Sequence, residues 1–194
     1  MLIRVDDFPH GGSVERPDRW QMMTHLMDNL NLPVMLACVP NETTQEDIDR
    51  LRCDKRITIG VHGFWHNRNE LGKDHVEWVA ARRKFHPTRP TVFVAPHNEY
   101  TEHAVKMAAM AGYTTITAGP ETDPRLREWI AGTGLRLVRD DFLYGRSHEI
   151  VGKLSTTKTT VGCVCLHLTW EWREKAESLR CLHDILSGCV EAWE

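Results

Sequence analysis

A chain of 194 residues, 41% hydrophobic and 26% charged, suits one soluble globular domain and excludes a disordered or collagen-like architecture. Its 24 basic and 27 acidic residues leave a net charge of -3, which argues against the broad cationic surface that grips nucleic acid or anionic membrane. No stretch approaches the roughly 20 apolar residues that span a bilayer, and Met1 to Asp7 reads as a strand instead of a leader, so a cytoplasmic location with reduced thiols on the 6 cysteines is expected.

In chain order, an apolar strand over 2–6 runs into the acid pair Asp6 and Asp7. A helix around 17–30 follows, with Pro17 at its start and Trp20, Met23, Met27 and Leu30 on one face. A strand over 34–39 leads to a helix over 44–52, where Thr43 and Glu46 have capping-box spacing. The strand over 57–62 ends on His62 and precedes a helix over 73–85; the strand over 91–95 runs into Pro96, His97 and Asn98. Helices over 101–111 and 124–131, closed by Gly112 and Gly132, flank a strand over 114–118. Strands over 135–139 and 161–167, the latter ending on His167, and a helix over 173–192 complete one domain spanning 1–194.

Strands alternating with helices predict an α/β fold with a parallel sheet. In a parallel barrel the strand ends open on one face, so Asp6, Asp7, His62, the Pro96 turn and His167 are expected to converge on one mouth. His62 and His66, four residues apart with Gly63 between them, have the spacing to chelate one ion, and Asp7 supplies the carboxylate. Side chains alternate along a strand, so the two acids are expected to differ in role: one ligates while the other accepts a proton from water acidified by the ion. His167, facing both acids, is the candidate general acid.

These motifs resemble those of the NodB-type polysaccharide deacetylases, carbohydrate esterase family 4, over nearly the whole chain. Val5-Asp6-Asp7-Phe8-Pro9 resembles T-F-D-D-G-P; His62 to His66 resembles H-S/T-x-x-H; Phe93-Val94-Ala95-Pro96-His97-Asn98 resembles F-R-A-P-Y-G; Val164-Cys165-Leu166-His167 resembles I-L-L-H. The resemblance implies a distorted (β/α)7 barrel and a metal-dependent hydrolase that removes N-acetyl groups from a carbohydrate. In that reading Asp6 is the base, Asp7, His62 and His66 hold zinc or another divalent transition metal, the His97 backbone N–H helps bind the oxyanion, and His167 protonates the leaving amine. Trp65 and Trp170, next to these residues, are candidates for stacking on the sugar.

Four departures stand out. Gly63 replaces the Ser or Thr whose hydrogen bond steadies the second histidine, so that support must come from elsewhere. Val94 replaces an arginine that pairs with the base, leaving Arg4 or Arg139 as substitutes. His97 replaces an aromatic residue, although a backbone donor survives that exchange. The motif D-x-x-D-W is missing after the 114–118 strand, with Asp140 or Asp141 as the remaining acids to orient His167. These losses keep open a sugar-binding barrel without turnover, and a carboxylate pair of Asp6 with Glu171 keeps open glycoside cleavage. Trp20, Trp78 and Trp129 are expected in the outer layer. Cys163 and Cys165 are expected to be small buried hydrophobes and not, with Cys181 and His183, a second metal site.

Overall fold

The computed structural model describes residues 1–9, 18–67, 70, 75–119, 122–138, 142–156, 161–171 and 175–191. The seven expected strands are present as β1 (Leu2–Phe8), β2 (Val34–Cys38), β3 (Ile57–His62), β4 (Val92–Val94), β5 (Thr115–Thr117), β6 (Arg136–Val138) and β8 (Cys163–His167). An eighth, β7 (Phe142–Tyr144), was not expected; it pairs in parallel with β8. Among the described residues all pairings are parallel, in the order β6-β5-β4-β3-β2-β1-β8-β7.

One hydrogen bond shows that this sheet curls. Arg4 on β1 donates through Nη1 to Thr117 Oγ1 on β5. Four strand spacings separate β1 from β5, about 19 Å in a flat sheet, well beyond one arginine side chain. The bond therefore crosses the inside of a barrel. Residue parity agrees. Leu2, Met35, Ala37, Val92, Val94, Val138, Cys163 and Cys165 form a small inner cluster, while Ile3, Val5, Leu36, Val61, Phe93, Ile116 and Val164 belong to the larger one that packs under the helices. Both cysteines are buried there as small hydrophobes, as expected, and Cys181 is exposed.

The helices are α1 (Arg19–Leu30), α2 (Gln45–Cys53), α3 (His75–Lys84), α4 (Glu102–Met110), α5 (Leu126–Ile130), α6 (Ser147–Thr156), α7 (Leu168–Glu171) and α8 (Ala176–Leu186). Trp78 is buried beside Phe93 and Tyr113, and Trp20 and Trp129 are partly buried in the outer layer. Helices α6 and α7 were missed in the sequence. Gly152 and the Ser155-Thr156 end weaken α6 as an isolated helix; its support is tertiary, through buried Ile150 and the Ser147 N–H donated to Glu171 Oε1 at 3.1 Å.

The expected cap of α2 is off by one residue. Thr44, in extended conformation, accepts from the Asp47 N–H, and Asp47 accepts in return from the Thr44 N–H, whereas Thr43 Oγ1 donates to the Val39 carbonyl. Asp47 is buried and also accepts from Trp20 Nε1 and Arg19 Nε, each at 3.1 Å, so it ties α1 to α2. Burial alone raises its carboxyl pKa, and the Thr44 and Arg19 donors more than reverse this, holding it below the usual range. Its contribution is therefore present above the unfolded carboxyl pKa of about 4 and is lost as pH falls. Asp47→Asn is expected to cost about 1–2 kcal/mol at neutral pH, roughly 2–8 °C in Tm, and to flatten the loss of stability in acid. A variant that keeps the parent's slope of Tm against pH in acid would remove Asp47 from this role.

Candidate metal centre

The mouth of the barrel is built on backbone that side-chain-bearing residues seldom adopt. Among the described residues, those other than glycine with positive φ are Asp7 (68°), His66 (60°), His97 (56°), Asn98 (55°) and Asn31 (46°). Asn31 caps α1, and the other four all stand among the predicted site residues. Such conformations cost of order 1–3 kcal/mol each and persist where surrounding contacts over-determine them. At Asp7 the consequence is direct. A register shift in β1 between Val5 and Phe8, with φ of 68° at Asp7, breaks the strict alternation that would send it to the helix layer. Asp6 points into the barrel, and Asp7 turns to the mouth.

There Asp7 Oδ1 lies 3.1 Å from His66 Nε2 and 3.4 Å from His62 Nε2, and the two histidine nitrogens are 3.1 Å apart. Ligand bonds of about 2.0–2.1 Å at tetrahedral angles put neighbouring donor atoms about 3.3–3.4 Å apart. The three atoms are thus spaced as three donors to one zinc-sized cation would be. His62 is also oriented from behind. Its Nδ1 is 3.1 Å from the Val94 carbonyl, which can only accept, so Nδ1 donates there and Nε2 faces the cluster. No other cluster of this kind occurs among the described residues.

Asp6 is buried at 3% exposure and receives both Nε and Nη2 of Arg4, itself 1% exposed, in a two-point pair. Of the two substitutes expected for the arginine missing at Val94, Arg4 is thus seen paired with Asp6. The two residues sit two apart on one strand, so the pleat points both inward. The Arg4 fork is braced by Thr117 Oγ1 and, at 3.3 Å, by Asn98 Oδ1, while the Cys165 thiol donates to Asp6 Oδ2 at 3.5 Å. Burial by itself raises the Asp6 pKa, but the charge and hydrogen bonds of Arg4 win and hold it below the usual carboxylate range. Asp6 is an anion whose position is tightly set.

His167 is in register with Asp6 across the β1–β8 pair, and its Nε2 is 3.7 Å from Asp7 Oδ2. Its ring stacks on Trp170 with centroids 4.2 Å apart and meets Tyr144 edge-on at 5.0 Å. Its Nδ1 is buried without a hydrogen-bond partner among the described residues. Burial holds its pKa below the ordinary histidine value. Arg139, Asp140 and Asp141 lie outside the described residues.

The remaining predicted positions divide. Pro96, His97 and Asn98 form a 3-10 turn, and the exposed His97 ring lies 5.1 Å from the His66 ring. Asn98 serves as an internal clasp. Its Oδ1 accepts from the Gly119 N–H and from Arg4, and its carbonyl accepts from Thr122 Oγ1. Trp65 is exposed beside Phe64, whereas Trp170 is committed to His167. Glu171 is fully buried and faces the start of α6, which withdraws support from its pairing with Asp6 in glycoside cleavage. Sequence reasoning missed Tyr144, Thr117 and Glu70. Glu70 left no local signal, since an acid in a loop ordinarily reads as solvated.

No protein-family model matches the chain, and no curated relative aligns with it. Solved structures do match. A family 4 carbohydrate esterase from Streptomyces lividans, in complex with acetate, superposes with a TM-score of 0.59 at 13% identity, covering 98% of this chain and 90% of that one. The Bc1960 peptidoglycan N-acetylglucosamine deacetylase gives 0.60 at 12% identity, with 99% and 85% covered. BA3943 from Bacillus anthracis, a pseudoenzyme of the same family, gives 0.60 at 10% identity, with 99% and 63% covered. The chain has the fold of the family 4 carbohydrate esterases, the NodB-type polysaccharide deacetylases.

Proposed function

We propose that this protein is a metal-dependent deacetylase that hydrolyses the N-acetyl group of a carbohydrate. The observation that carries the reading is the donor triangle of Asp7, His62 and His66, set beside a second carboxylate, Asp6, that is buried, ionised and pinned by Arg4. A divalent cation held by those three side chains would supply Lewis acidity toward an acetamide carbonyl and its attacking water. Zinc suits two imidazoles and one carboxylate, although the donors alone do not select it over other transition metals.

The chain's own residues supply the rest. Asp6 accepts a proton from water at the mouth, and Arg4 keeps its carboxylate ionised and oriented for that step. His167, on the neighbouring strand, delivers a proton to the departing amine, and stacking on Trp170 fixes the plane of its ring. The turn at Pro96–Asn98 borders the same mouth, where the His97 N–H is the candidate donor to an oxyanion, and exposed Trp65 offers a flat face to a pyranose ring. The sugar, whether polymer, oligomer or precursor, is the substrate class that the solved structures of this fold suggest.

The test is acetate release from N-acetylated chito-oligosaccharides by zinc-loaded and chelator-treated protein. Asp6→Asn is expected to bind zinc as the parent does and to lose acetate release by about 100-fold or more. Full activity in that variant would exclude Asp6 as the base. Sugar binding unchanged by chelator, with no acetate released by the zinc-loaded parent, would identify a binding barrel, in line with the pseudoenzyme that shares this fold.

A further inference from the structure

We propose that Glu70 is a positioning residue for His66, and that its carboxylate fills the place of a side chain at position 63. The proposal rests on the metal-site reading above. His66 leaves β3 on an irregular segment, and a ligand on such a segment holds its place only if the backbone is tied down. Glu70 does the tying. It is 7% exposed, and its Oε1 accepts from the Phe64 N–H at 2.7 Å, while Oε2 accepts from the N–H groups of Trp65 and Asn67, each at 3.0 Å. The last two amides flank His66 on both sides. Charge-assisted bonds to three backbone donors fix the direction from which the imidazole enters the cluster.

Gly63 makes room for this arrangement. A Cβ at that position would stand 1.7 Å from Glu70 Oε1 and 2.5 Å from Pro96 Cγ, and φ there is +65°. A residue with a side chain at 63 and a carboxylate in the Glu70 position are therefore mutually exclusive. Here the volume beside the second histidine is occupied from seven residues along the chain. Glu70 is not one of the three ligand donors, so its influence on a cation passes through the placement of His66.

Cobalt(II) titration of the metal-free protein, read by visible absorption, tests the proposal together with amide hydrogen exchange. In Glu70→Ala the affinity for cobalt is expected to fall about 10–100-fold, the range typical when a group that orients a ligand is lost. Exchange is expected to quicken at Phe64, Trp65 and Asn67 while amides of β1 and β3 stay protected. Glu70→Gln, which keeps one carbonyl acceptor, is expected to fall between Ala and the parent, and it carries the test if the Ala variant does not fold. Parent-like cobalt affinity in both variants would overturn the proposal, as would loss of affinity accompanied by equal loss of protection in β1 and β3. A parent protein that binds no cobalt overturns the metal-site reading itself, whatever exchange shows at the three amides.

Discussion

Arg4→Met is expected to cost about 3–5 kcal/mol in stability, roughly 6–20 °C in Tm, and to abolish acetate release. The reason is electrostatic. The pair is almost entirely buried, so removing the guanidinium leaves a poorly solvated carboxylate that must either stay ionised at high cost or take up a proton. A protonated Asp6 cannot serve as a base. Arg4→Lys is expected to rescue little, since a single ammonium cannot engage both Asp6 oxygens and still reach Thr117 and Asn98. The two residues are also expected to be strongly coupled: in an Asp6→Asn background, Arg4→Met is expected to cost less than half as much. Thermal melts of the four proteins in that cycle decide it. Additive costs would mean that the pair is not what holds Asp6.

The second large effect concerns His66. Replacing it by alanine or glycine removes one of three donors and is expected to weaken zinc or cobalt binding by well over ~100-fold, since even loss of an orienting partner costs 10–100-fold. In metal-free protein, however, the two variants are expected to differ from each other. Glycine ordinarily destabilises relative to alanine by about 0.5–1 kcal/mol; at φ of 60° that order reverses, because only glycine adopts the left-handed region without strain. His66→Gly is therefore expected to melt about 2–4 °C above His66→Ala, a gain of about 1 kcal/mol. A lower Tm for the glycine variant would show that position 66 carries no such strain. The sign matters for function, because strain kept at a ligand is stability given up for the direction in which that ligand points.

What could be read in advance was local. The donors His62 and His66 share one strand end and its following turn, and Asp6-Asp7 close another, so residue type and spacing were enough to nominate them. His167 followed from its place at the end of a strand expected to lie beside the first if the sheet closes, and β8 does pair with β1 in register. The Arg4 substitution was half visible. An arginine within an apolar strand, two residues before an acid, shares that acid's face, but parity alone could not choose between Arg4 and Arg139. The cap of α2 was misplaced by one residue because Thr43 and Thr44 are adjacent and either could begin a capping box; only the extended backbone at Thr44 decides.

Other features depended on contacts between distant parts of the chain. Asn98 reads as a loop residue near substrate, yet it clasps Arg4 and Gly119. Helix α6 draws part of its support from Glu171, 24 residues away. Composition and period alone determined an α/β domain with parallel strands and a mouth where Asp6, Asp7, His62, His66 and His167 could meet. Only the curled sheet decided how they meet. A local bulge turned Asp7 toward the histidines, and curvature brought Thr117 within reach of Arg4. Glu70 took the space left by Gly63. Those outcomes depend on how backbone and side chains pack within hydrogen-bonding distance in three dimensions, and spacing along a sequence does not encode that.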